Sequence, residues 1–418
     1  MKTFVTSFLL AALASPILSE DFGLDCSWPV HNTESSCGDL LGDRFAVYEE
    51  YLEGCRQQWG AKGAKRCDSA EIDRLEMSRR QPQSMVNYTS TGFKKIRAPQ
   101  PLFDLLQAYW LKNKDDMKVE NWGIGNIYTN NWASDTYMVS VENSKLRGGG
   151  QAFKKKIWDA AKPTLEQWTG MELAPSSLYG IRVYTEGAIL APHVDRLPLV
   201  SSCIINVDQD VDEPWILEVY DRHDRAVNVT MEPGDMVLYE SGSLVHGRPY
   251  ALKGNFFANI FIHFEPTGKH LATGEWEDID DFYPPYIQMD SPWMEDWERK
   301  NPGGWKKHSP SAAGVARPQA HVAAALGDVE ELNRLAMSDK KSLTKKDENG
   351  WQPLHEAVRG GNLEAVTMLV EHGADVDAVT HGGHGSSPYN IALVSHSEDH
   401  PVARYLSSLG AKNIGPEL

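Results

Sequence analysis

Apolar positions recur at helical spacing in the first part of the chain and at strand spacing in the middle. The run 44-RFAVYEEYLEGCRQQW-59 reads as a helix. So does 102-LFDLLQAYWLKN-113, with Pro101 suited to a first turn. A third helix is expected over 151-QAFKKKIWDAAKPTLEQWTG-170, its lysines forming a solvated face. Residues 96 to about 175 therefore read as mostly helical. From 178 the period shortens. The runs 178-LYGIRVYTEGAIL-190, 200-VSSCIINV-207, 215-WILEVYD-221, 226-AVNVTM-231, 236-MVLYES-241 and 255-NFFANIFIHFEP-266 are β-branched or aromatic and separated by turn residues. Many short strands at this spacing predict a sandwich, barrel or jelly roll. Residues 267–315 follow, rich in aromatic and acidic residues. Such a segment is expected to wrap on a neighbouring domain, with 301-NPGG-304 as a boundary.

The last hundred residues repeat. Gly327 and Gly361 are 34 apart, 351-WQPLHEAV-358 is echoed by 387-SPYNIALV-394, and Gly373-Ala374 by Gly410-Ala411. A period near 33 with P-L-H-x-A and G-A-D-V-D-A signatures resembles ankyrin repeats. About three are expected, the outer two acting as caps. The expected organisation is a leader over 1–19, a cysteine-rich segment over 20–95, a domain over 96–266 with its β core at 178–266, the aromatic segment over 267–315 and an all-α repeat stack over 316–415.

Charge and cysteine usage narrow the setting. The 418 residues carry 41 Lys and Arg against 58 Asp and Glu, a formal charge of −17. That argues against nucleic-acid binding and against docking on anionic lipid. The start, MKTFVTSFLLAALASPILSE, has the form of a secretory signal peptide, with cleavage expected after Ser19 or Ala14. No later run is apolar enough to span a bilayer. The ER lumen and the extracellular space both remain open. Cys26, Cys37, Cys55 and Cys67, spaced 11, 18 and 12 apart, read as two disulfides of open connectivity. The spacings lack the close pair that zinc favours. Cys203 reads as a buried free thiol. Asn87 and Asn228 head glycosylation sequons and are expected at the surface.

Candidate chemistry begins at 184-YTEGAILAPHVDR-196. His193 and Asp195 are two apart, so on a strand they share a face. A third ligand must come from a distant strand, and His246, 51 residues beyond Asp195, is the candidate. Two histidines and one carboxylate on one face of a metal leave adjacent positions open, the donor set of non-haem Fe(II) oxygenases.

The pattern Tyr184-x₂-Gly187-x₂-Leu190-x₂-His193-x-Asp195 resembles the motif opening the core of 2-oxoglutarate-dependent prolyl 4-hydroxylases. The segment 246-HGRPYALKGN-255 is similar to that family's second motif. The resemblance covers roughly 178–266. It implies a double-stranded β-helix (jelly-roll) fold with flanking helices, Fe(II), 2-oxoglutarate and O₂ as co-substrates, ascorbate as helper reductant, and a peptidyl substrate. It also implies that Tyr184 and a basic residue hold the far carboxylate of 2-oxoglutarate. Here the chain departs from the family, whose lysine falls at Phe256. Arg248, two residues beyond His246, is the first replacement, Lys253 the second and Arg182 the third. The guanidinium fork of Arg248 could pair bidentately with a carboxylate.

Other residues carry less. His263 reads as a sheet histidine and His223 as part of a charged hairpin tip. Trp132 and Tyr137 could line a groove but read first as core. Two further functions remain open. The same three ligands would suit catalytic zinc in a hydrolase. Alternatively, a degenerate barrel joined to a repeat stack would be a non-catalytic scaffold, with the repeats binding a protein partner.

Overall fold

The computed structural model describes Trp28, residues 43–276 apart from 224, residues 282–305 apart from 293, 302 and 303, and residues 318–415 apart from 348, 349, 381, 382 and 384. The expected leader, Cys26 and Cys37 lie outside the described residues. The chain is mixed α and β, as its pattern predicts, and every strand pairing is antiparallel.

Two sheets make the central domain. The larger contains β1 (Phe93–Arg97), β2 (Lys118–Val119), β3 (Thr136–Ser140), β4 (Met171–Ser177), β5 (Gly180–Thr185), β7 (Ser201–Val211), β10 (Asp235–Tyr239) and β12 (Gly254–His270). Its order is β1-β10-β7-β12-β5-β3-β2, with β4 beside β12. The smaller contains β6 (Leu190–His193), β8 (Leu217–Tyr220), β9 (Ala226–Val229) and β11 (His246–Arg248), in the order β6-β11-β8-β9. Neither sheet closes on itself. The expected run 178–190 is two strands, because Gly187 turns the chain at φ 79°, a left-handed conformation natural to glycine.

The sheets share one core. Tyr184, Ile204, Val237, Tyr239 and Phe257 of the large sheet pack with Leu217, Val219, Val227 and Val229 of the small one. Alternation along β12 sends Ala258, Ile260, Ile262 and Phe264 to the opposite face. There α2 (Gln100–Asn113) and α3 (Gln151–Thr169) cover them with Leu102, Leu106, Ile157 and Leu165. Burying each such side chain is worth roughly 1.5–3 kcal/mol, so this layer holds the sheet's outer face.

The expected helical character of 96–175 is corrected in part. Both helices are present, but β2, β3 and most of β4 fall in the same stretch, and β1 crosses the expected boundary at 95. Of these, β1 and β2 are short and polar, and an apolar period does not reveal them. The domain also runs past 266, since β12 continues to His270.

The N-terminal helix is longer than expected. Helix α1 (Asp43–Arg80) is kinked at Gly60, where φ is 62°. Cys55 and Cys67 are disulfide-bonded across that kink. Cys203 is buried and free, and Asn87 and Asn228 are exposed, as expected. Tyr48, Tyr51 and Leu52 of α1 pack on Ala191, Val194, Tyr220 and Val245 of the small-sheet region. The aromatic segment does wrap the domain. Tyr283, Tyr286, Ile287 and Trp297, the last on α4 (Met294–Lys300), form a cluster with Met85 and Val200.

Three helix pairs follow: α5 (Gln319–Ala325) with α6 (Val329–Ser338), α7 (Pro353–Arg359) with α8 (Leu363–Glu371), and α9 (Pro388–Ser395) with α10 (Pro401–Ser408). Their small and aliphatic faces form a continuous core through Ala324, Leu332, Leu354, Leu369, Ala392 and Leu406. No helix among the described residues is long and apolar enough to cross a membrane.

Candidate metal centre

His193 ends β6 and His246 opens β11, and the register sets them directly opposite. Their ring centroids are 4.6 Å apart. Each ring's Nδ1 faces a backbone carbonyl, Ala191 at 2.7 Å and Leu244 at 2.9 Å. A carbonyl can only accept, so Nδ1–H donates and Nε2 keeps its lone pair. Asp195 lies two residues beyond the end of β6, held by a bond from its N–H to the Ser241 carbonyl at 2.8 Å. Its Oδ1 is 3.7 Å from His193 Nε2. One ligand atom from each of the three residues lies within 4.8 Å of the other two, within reach of a single metal ion. Tyr128 meets His193 edge-on at 5.0 Å, and Tyr239 meets His246 at 4.7 Å.

Electrostatics suit ligation. Burial, reinforced by the charge of His193, pushes His246 down to about 4, so it stays neutral at neutral pH. Burial alone would raise Asp195. The neighbouring imidazoles of His193, His263 and His246 outweigh it and hold the carboxyl well below the usual range.

Helix α1 braces this segment from behind. Arg74 donates to the Pro192 carbonyl. Gln81, just past the helix end, donates to the carbonyls of Asp195 and Gly242, both at 2.7 Å. Arg74 is itself buried in an ion pair with Glu71 at 2.6 Å, and Tyr48 donates to the same carboxylate. Nothing in the sequence pattern singled out Arg74 or Gln81.

The candidates for carboxylate binding separate clearly. Arg248 is 1 % exposed and sandwiched between Trp215 and Phe257, each ring 4.5 Å away. It donates to the Trp215 carbonyl and approaches Met231 Sδ at 3.6 Å. No carboxylate among the described residues pairs with it. Burial pushes its guanidinium down to about 9. Tyr184, fully buried against Trp215 at 4.9 Å, has a hydroxyl without a hydrogen-bond partner. Burial raises that hydroxyl, and the nearby guanidiniums of Arg182 and Arg248 oppose the rise.

Lys253 is corrected. Its side chain is 64 % exposed and pairs at the surface with Glu213 at 2.9 Å. Arg182 is occupied by Glu120 through two bonds of 2.6 and 2.9 Å. Phe256 packs toward Trp110, 6.2 Å away, on the helix-covered side. A lysine at 256 would therefore point away from the inner face. Trp132 packs on Tyr51 at 4.9 Å, and His223, between the paired strands β8 and β9, is exposed.

The comparisons with known proteins bear on the C-terminal repeats. Residues 320–414 match the family model for ankyrin repeats, in three copies. The chain is 43 % identical over 86 residues to human protein phosphatase 1 regulatory subunit 27, covering 20 % of this chain and 53 % of that protein. It is 43 % identical over 67 residues to mouse ankyrin repeat and protein kinase domain-containing protein 1, covering 16 % and 9 %. Among solved structures it resembles the human ASB11 ankyrin repeat domain at 33 % identity, covering 23 % and 41 %, with a TM-score of 0.21. The chain thus spans about half the length of the phosphatase subunit it matches. Its C-terminal segment carries ankyrin repeats.

Proposed function

We propose that this chain is an Fe(II)- and 2-oxoglutarate-dependent dioxygenase that hydroxylates a peptidyl side chain. By resemblance the target is prolyl, and by the leader the setting is the secretory pathway. On this reading the two sheets are the jelly roll of that family, and the ankyrin repeats are a protein-binding arm. One observation carries it: a two-histidine, one-carboxylate donor set stands beside a buried arginine, two residues along β11 from His246, that pairs with no carboxylate among the described residues. Isolated buried cations are costly, so such a site favours an anionic ligand. The residues fit the implied group. Both imidazoles keep Nε2 free, Asp195 Oδ1 stands 3.7 Å from one of them, and the Tyr184 hydroxyl lacks a hydrogen-bond partner.

His193, Asp195 and His246 would hold the iron. When bound, Fe(II) couples decarboxylation of 2-oxoglutarate to succinate with hydroxylation of an unactivated C–H bond, with ascorbate as the helper reductant that the family uses. The chain's own residues bind, orient and exclude water. Arg248 and Tyr184 take the far carboxylate and so fix the direction of the keto acid. Trp215 and Phe257 keep water from that pair, and Tyr128 and Tyr239 wall the histidines.

The ankyrin match also favours a second reading, a protein-binding scaffold. Succinate release from 2-oxoglutarate by the full chain, with Fe(II), O₂ and ascorbate, separates the two. The oxygenase reading expects succinate that falls to background in His193→Ala. No succinate from iron-loaded protein, with proline-containing peptides supplied, would leave the scaffold.

A further inference from the structure

We propose that His263 is a positioning residue for the ligand carboxylate. Its Nδ1–H, donated to Ser202, sets the positive edge of the ring 3.5 Å from the outer oxygen of Asp195 and so leaves Oδ1 on the side of the ligand histidines. The inference rests on the metal-centre reading above and adds a residue outside the ligand set.

Strand β12 alternates, and His263 falls on the same face as Phe257, toward the shared core of the two sheets. Its register partner on β7 is Ser202. His263 Nδ1 is 2.7 Å from Ser202 Oγ and 3.5 Å from Asp195 Oδ2. The direction of the chain of bonds follows from its end. The Leu199 carbonyl only accepts, so the Ser241 hydroxyl donates to it, at 3.1 Å. Ser241 Oγ then accepts from Ser202, 2.6 Å away. With its one hydrogen spent, Ser202 can only accept from His263, so Nδ1 carries the proton. That N–H dipole lies against Asp195 Oδ2, an oxygen with no hydrogen bond of its own.

The consequence concerns denticity. A carboxylate turns easily about its terminal torsion, whose wells are broad. Unheld, Asp195 could offer both oxygens to one ion and take up a position the co-substrates need. With Oδ2 drawn to His263, Oδ1 remains on the His193 side, where it already stands at 3.7 Å. Groups that orient metal ligands in this way are worth about 10–100-fold in metal affinity.

The test uses the full chain and Co(II) alone, reading affinity by chelator competition and coordination by visible absorption. His263→Asn keeps an N–H near the Nδ1 position; His263→Gln carries it too far out; His263→Leu removes it. The expected result is Co(II) binding weakened about 10–100-fold, with altered absorption bands, in the Leu and Gln variants, and recovery of both in Asn. Unchanged affinity and spectrum in Leu and Gln would overturn the proposal. Equal impairment of Asn and Gln would also overturn it, leaving only a packing role. If Leu does not fold, the Asn and Gln pair still decides. Wild-type protein that takes up no Co(II), or takes it up equally after His193→Ala, would instead sink the metal centre and this role with it.

Discussion

The sheet pair and the ankyrin stack both bury basic side chains, and they use them in opposite ways. In the stack each buried histidine ties one repeat to the next. His321 Nε2 meets the Trp351 carbonyl and His355 Nε2 the Ala378 carbonyl, both at 2.9 Å. His355 Nδ1 also accepts from the Gln352 N–H at 2.8 Å. These three bonds are spent on architecture, while His321 Nδ1 has no hydrogen-bond partner. In the sheet pair, Arg248 pairs with no acid among the described residues, and the buried Tyr184 hydroxyl has no hydrogen-bond partner. Buried polar groups are nearly always paired. Such atoms occur elsewhere too, His321 Nδ1 in the stack among them, but only here does one stand near a buried guanidinium and a two-histidine, one-carboxylate set among the described residues.

Three substitutions sharpen or break that contrast. The largest effect is expected from Arg248→Met. If the arginine awaits an anion, the KM for 2-oxoglutarate should rise about 100-fold, equivalent to roughly 2.7 kcal/mol. The apo protein should melt no lower, because an unpaired buried charge has been removed. A fall in melting temperature with KM unchanged would make the residue structural.

His355→Leu comes next. Losing its two backbone bonds should cost the repeats about 1–3 kcal/mol, read as lost hydrogen-exchange protection in α7, with Co(II) affinity untouched. The same residue predicts an acid dependence. Burial depresses its folded pKa, outweighing the Ala378 and Gln352 bonds and the Glu356 charge. The unfolded chain therefore binds a proton first as pH falls. This contribution is fully present above the ordinary value near 6.5 and is lost as pH drops through the folded value. Protection of α7 should fall between pH 7.5 and 5 in wild type, and the variant should show a flatter profile.

The smallest effect belongs to Lys253→Ala. An exposed pair of this kind contributes about 0–1 kcal/mol, so KM should stay within about threefold of wild type. A larger shift would return Lys253 to the list of carboxylate binders.

Much of this was legible from sequence. His193, Asp195 and His246 were legible from their spacing, although Asp195 reaches the site from beyond the end of β6, held by its N–H on the Ser241 carbonyl, and not by strand alternation. Arg248 follows, two residues along a strand from His246. The repeat glycines and the P-L-H-x-A segment carry the stack. What escaped detection depends on pairing between distant segments. His263 looked like any sheet histidine, because nothing local says that β12 lies beside β7 with Ser202 opposite. Strands β1 and β2, Phe93–Arg97 and Lys118–Val119, are too short and polar to announce themselves. Lys253 misled because its nearness to His246 along the chain did not place it on the inner face.

Helix α1 has one more consequence, a matter of measure. Its two donors, Arg74 and Gln81, are seven residues apart, about 10.5 Å at 1.5 Å per residue. Their acceptors, the carbonyls of Pro192 and Asp195, are three residues apart, about 10 Å in extended chain. Two turns of helix thus gauge the span that contains His193 and Asp195. The spacing of those two residues is kept by a ruler laid alongside. Lengthening that ruler by one residue between 74 and 81 would swing one donor about 100° around the helix axis, leaving the ligand segment gripped at a single point.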